Sequence, residues 1–133
     1  MTHAKTATLA LTAGIALVAA SCATMQQTPR TLDETLKAQG YRIAEPVDRV
    51  YNYTINGWNY VDRDHLILLD GVNRHYLVTF RNQCHGLPGS ALVAYTTTAS
   101  QLTAFDKFLV KDPASKIIDR CYIESLHRLD RIS

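Results

Sequence analysis

With 133 residues, 14 Lys and Arg against 12 Asp and Glu, and a formal net charge of +2, the chain suffices for one domain and is close to neutral. Its arginines (Arg42, Arg49, Arg63, Arg74, Arg81, Arg120, Arg128 and Arg131) are scattered along the sequence and form no basic run. Nucleic-acid binding, which needs a concentrated positive surface, is therefore not expected.

The first elements form a targeting segment. Thr2 to Lys5 make a short, mildly basic start. Thr6 to Ala20 carry no charge and are rich in Ala, Leu, Ile and Val, and the small residues Ser21, Cys22 and Ala23 follow. These are the three parts of an export signal. The rival reading, a transmembrane anchor, needs roughly 20 apolar residues, which this run does not reach. Removing residues 1–21 from 133 leaves 112 and takes away one charged residue, Lys5, so 13 basic face 12 acidic side chains.

Val18-Ala19-Ala20-Ser21-Cys22 resembles a bacterial lipobox, with Ala19 where Leu is usual. The resemblance implies that Cys22 becomes a diacylglyceryl-modified, N-acylated first residue. Two or more fatty chains anchor stably where one does not, so such a chain is held at the membrane. Ala23 after the Cys, in place of Asp, resembles the signal for onward transport to the outer membrane. The alternative is ordinary cleavage after Ala23, which would discard the Cys and secrete a soluble domain.

Residues 22–45 then read as tether and short helix. Ala23 to Arg30 is polar, contains Pro29 and has no hydrophobic period. Thr31 followed by Glu34 is a capping-box pattern, and Gly40 is a C-terminal stop, predicting a helix between them. So few residues are marginal alone, so this helix must dock or else belong to the tether.

Residues 46–133 are predicted to form a β domain. Tyr51, Tyr53 and Ile55 alternate with polar residues, His65 to Leu69 is a short apolar run, and Asp70-Gly71-Val72-Asn73 marks a hairpin turn. Tyr76, Val78 and Phe80 share one predicted face. Ala91–Thr98, Phe108–Val110 and Cys121–Ile123 supply the remaining strands. Five or six short strands argue for a small antiparallel barrel or sandwich. If Cys22 is acylated, Cys84 and Cys121 remain, and export places them where a disulfide is the default.

In order and spacing, Gly57-Trp58, Tyr76-Leu77-Val78-Thr79-Phe80 leading to Cys84, Phe105-Asp106, and Cys121-Tyr122-Ile123 with Leu126 resemble an uncharacterised family of small proteobacterial lipoproteins. The likeness spans roughly residues 46–130 and the lipobox, although Phe80 and Leu126 stand where other aliphatics are usual. It implies an address and no activity.

Catalytic signatures are absent: no G-x-S-x-G or S-x-x-K, no H-E-x-x-H, no phosphate or calcium loop. Asp62 and Asp64 flank Arg63 in a predicted turn, Asp119 and Glu124 lie near each other, and His65 and His75 flank the predicted hairpin. All have simpler structural readings. His85 beside Cys84 and His127 beyond Cys121 lack compact metal-ligand spacing, so no metal or other cofactor is expected. Trp58 and Tyr60 straddle a strand end and are the candidate ligand ledge, with core packing as the rival role. The leading expectation is a non-catalytic lipoprotein on the outer membrane, facing the periplasm and binding another envelope protein. A small-ligand or cell-wall binding module comes second, and an enzyme or metal site third.

Overall fold

A computed structural model describes residue 14 and residues 28–51, 54–88, 92–97 and 99–133. Cys22 and the lipobox, and Tyr53, lie outside the described residues.

The predicted helix, α1, spans Leu32–Ala38. Its capping box is reciprocal: the Thr31 N–H donates to Glu34 Oε2 at 2.9 Å, and the Glu34 N–H donates to Thr31 Oγ1 at 3.3 Å. Asp33 and Glu34 in the first turn and Lys37 in the last complement the helix dipole, and Gly40 at φ +87° lets the chain turn away. Leu36 is fully buried, so docking supplies the stability that seven residues lack.

Among the described residues nine strands follow: β1 (Tyr41–Val47), β2 (Arg49–Tyr51), β3 (Ile55–Asp62), β4 (His65–Asp70), β5 (Arg74–Phe80), β6 (Leu92–Tyr95), β7 (Gln101–Thr103), β8 (Lys107–Lys111) and β9 (Ile117–Arg131). The main sheet is antiparallel, ordered β3-β4-β5-β9-β8-β6, with β1 also on β9, and it curls into a half-barrel. β2 and β7 form a separate two-stranded ribbon. The strands are thus more numerous than the five or six expected, because short ones lie in stretches with little alternation. β1 begins at Tyr41, ahead of the period-two region read from Pro46. Pro46 lies within β1 at a register irregularity, a position an edge strand tolerates.

The 15-residue β9 organises the fold. Ile117 to Tyr122 pair with β8, while Ile123 to Leu129 pair with β5. Opposite Thr79 and Phe80, β9 holds one extra residue, Glu124. This bulge switches the inward alternation: Cys121 and Ile123 face the concave core before it, and Leu126 after it.

The sheet is buried on both faces. The concave side packs Leu66, Leu68, Val78, Phe80, Phe108 and Val110 around Cys84 and Cys121. The outer side packs Ile67, Leu77, Leu129, Tyr41 and Val61 beneath Leu36 of α1. β4 is covered by both, which explains why Leu66-Ile67-Leu68 reads as an unbroken apolar run. Cys84 and Cys121 are joined as a disulfide with Cα atoms 5.4 Å apart, tying the loop after β5 to β9.

Candidate functional site

The turn between β7 and β8 contains Phe105, whose side chain is 92% exposed. Phe105 lies in no strand, yet its surroundings are tightly bonded. Asp106 is 4% exposed, and its Oδ2 accepts from the Thr103 N–H at 2.8 Å and from Thr103 Oγ1 at 3.0 Å. Thr96 Oγ1 donates to Asp106 Oδ1 at 3.4 Å. The Asp106 N–H donates to the Thr103 carbonyl, and the Asp106 carbonyl accepts from the Ile123 N–H, both at 3.1 Å. Arg81 braces the same turn, donating to the carbonyls of Ile123 at 3.0 Å and Ala104 at 3.3 Å. A buried carboxylate with this many donors holds one conformation. The result is a large aromatic side chain held out into solvent by a fixed turn.

Beside Phe105 lies an open groove of about 550 Å³, bounded by the β1–β2 corner, β7 with its turn, and the bulge of β9. Neither β8 nor β1 pairs with residues 123–125 of β9, and the groove occupies that gap. Asp48, Arg49, Gln101, Glu124 and Ser125 line it together with Phe105. Arg49 donates to Gln101 Oε1 at 3.2 Å. Asp48 and Glu124 are exposed and, among the described residues, make no ion pair or side-chain hydrogen bond.

A second cavity, of about 150 Å³, opens at the seam between β3 and β6, the two end strands of the curl. Ile55, Trp58, Leu68, Val93, Tyr95 and Phe108 line it. Burial pushes the Tyr95 phenol above its usual pKa, and its ring meets Phe108 at 5.7 Å between centroids. Trp58 therefore reaches a cavity, but Tyr60 does not share it. Tyr60 stands 41% exposed, and its carbonyl accepts from the Gln39 amide at 3.3 Å.

The polar candidates have structural partners. Asp62 Oδ1 accepts the Asp64 N–H at 2.8 Å and lies 2.8 Å from His65 Nδ1 across the β3–β4 turn. Thr79 stands opposite His65, and no hydrogen bond joins them among the described residues. His65 and His75 do not meet, since they occupy opposite ends of the β4–β5 ladder, opposite Thr79 and Leu69. Buried Asp70 binds Thr54 Oγ1 and Arg74, holding the hairpin. Asp119 Oδ2 accepts the Gly86 N–H at 3.1 Å, pinning the loop after Cys84. Asp119 forms with Cys84 and Cys121 the one group of three candidate metal ligands among the described residues. Two of those three atoms are the disulfide sulfurs, which are not free thiolates. His85 is exposed, and His127 lies on the outer face opposite Leu77.

Sequence reading had placed Phe105 only within a pattern and had not identified the groove. The one available signal was an aromatic residue inside a Thr-x-x-Asp turn, Thr103 to Asp106. No curated protein and no solved structure matches the chain. A family of unknown function, DUF6491, matches residues 4–132, and the chain belongs to that family.

Proposed function

We propose that the chain is a lipid-anchored, non-catalytic envelope protein that binds another envelope protein through the Phe105 turn. The carrying observation is a Phe ring 92% exposed on a turn whose backbone is held by a buried carboxylate. An exposed ring costs solubility, and one pinned there by a dedicated bonding scheme has the character of an interface anchor. The anchor half of the proposal rests on the lipobox at residues 18–22, with Ala23 favouring the outer membrane and the domain facing the periplasm.

Two measurements test it. Intact mass of the protein from membranes should show cleavage before Cys22 and added acyl chains, and Cys22→Ser should lose labelled palmitate. A mature chain that begins later and floats free would end the anchor reading. For binding, a photo-crosslinking amino acid at Phe105 should yield a discrete adduct in cells. The same label at Val72, an exposed apolar residue on the β4–β5 turn, should not. Equal labelling at both positions, or none, would remove the partner.

A second reading is favoured by one observation: Trp58 lines the 150 Å³ apolar seam cavity. That volume suits a single small apolar group. Ligand-dependent quenching of this sole Trp would support a small-ligand module, and unchanged fluorescence across a panel of small apolar and aromatic compounds would set it aside.

A further inference from the structure

Resting on the protein-binding reading, we infer that the groove beside Phe105 receives a partner segment carrying a Lys or Arg next to an apolar side chain. The chemistry on the two sides of the groove is unequal. Phe105 offers an uncovered aromatic surface. Asp48 and Glu124 offer two carboxylates against one guanidinium in the lining, and that guanidinium, Arg49, is already turned onto Gln101. Arg81, the next cation along the turn, is committed to the carbonyls of Ala104 and Ile123. The groove lining therefore holds two carboxylates, neither in an ion pair among the described residues, against one guanidinium, and this negative balance favours a cationic occupant.

The position of Glu124 strengthens the case. It is the extra residue of the β9 bulge, so the irregularity that breaks the strand's alternation is also what presents this carboxylate to the groove. An acyl tail has no use for the two carboxylates, and an acidic segment would be repelled by them. A basic side chain flanked by an apolar one satisfies both chemistries, with the aliphatic stem of Lys or Arg lying along the Phe105 ring.

The test uses the full chain in nonionic detergent and two fluorescein-labelled peptides, Gly-Leu-Lys-Leu-Lys-Leu-Gly and its twin with Glu in place of Lys, read by anisotropy. The Lys peptide should bind at least about 10-fold more tightly than the Glu twin, and more weakly as salt rises. Phe105→Ser should reduce Lys-peptide affinity by about 10-fold, as loss of an aromatic anchor does. Asp48→Asn with Glu124→Gln should reduce it several-fold and flatten the salt dependence. All three residues are exposed, so melting temperature should stay unchanged and confirm folding. Equal binding of the two peptides, or of the Lys peptide to the Asn/Gln double variant and the parent, overturns the inference. If the Phe105 crosslink persists in cells under that result, the protein-binding reading survives and only the partner's chemistry is wrong. Loss of the crosslink as well removes both.

Discussion

The two faces of the curled sheet are built on different principles. The concave face is closed by apolar side chains and a covalent link: its thirteen buried hydrophobic residues come from six strands and the 84–87 loop, and two of them are the bonded Cys84 and Cys121. The outer face holds five buried hydrophobic residues under Leu36 of one seven-residue helix, and His75 on the same side is only 3% exposed. The Nδ1 atoms of His75 and His127 are buried without a hydrogen-bond partner among the described residues. The Tyr41 ring packs on His75 at 5.2 Å. The first face is the larger and is covalently stapled, while the second is a thinner layer that includes a buried imidazole. The candidate interface grows from the rim of the first face, where Asp106 and Arg81 tie its turn to β9.

Removing the staple tests that contrast hardest. Replacing both cysteines by Ala, or reducing the native protein, should destabilise the whole domain by roughly 4 kcal/mol on the loop-entropy model. Chemical denaturation with and without reductant measures it; an unchanged midpoint would mean the concave core alone suffices. Leu36→Ala attacks the other face and should cost about 2 to 3 kcal/mol. Its signature differs, because hydrogen exchange should accelerate in α1 and β1 while β8 and the 117–122 half of β9 stay protected.

Asp106→Ala lies between the faces and the site. It leaves the Thr103 N–H and hydroxyl without their acceptor, at about 1 to 3 kcal/mol, while the Thr96 hydroxyl keeps the Lys107 carbonyl. It should also abolish the Phe105 crosslink, whereas Phe105→Ser should leave the melting temperature intact. A crosslink that survives Asp106→Ala would show that the ring needs no fixed turn.

The smallest effect is the pH dependence of the outer face. The His75 pKa is lowered, first by burial and then by Arg131, with Asp70 opposing. The folded protein therefore takes up a proton at His75 less readily than the unfolded chain does. Stability from this group is fully present above the unfolded value of 6.5 and declines as pH falls below it. Thermal melts between pH 7.5 and 5 should show the decline, and His75→Gln should flatten it. An identical slope in that variant would assign the effect to other groups.

Much of the fold is legible in local chemistry. The capping box, the Gly40 stop, the Asp70–Asn73 turn and the shared face of Tyr76, Val78 and Phe80 each follow from a few adjacent residues, and each is present. β2 and β7 escaped notice because three-residue strands exist only when a partner is beside them. Trp58 and Tyr60 read in sequence as straddling a strand end, but both lie within β3, and that Trp58 shares its cavity with Tyr95 and not Tyr60 depends on which edges the curl brings together.

What this sequence determined by itself was the class of the fold, the helix with its caps, and two cysteines suited to pairing, since these depend on neighbours in sequence or on counting. Tertiary structure alone decided that Phe105 is bare while Asp106 beside it is buried, and that the bulge residue Glu124 lines the same groove as Asp48. Exposure and juxtaposition are set by where distant strands pass, so two adjacent residues of one motif can end on opposite sides of the protein surface.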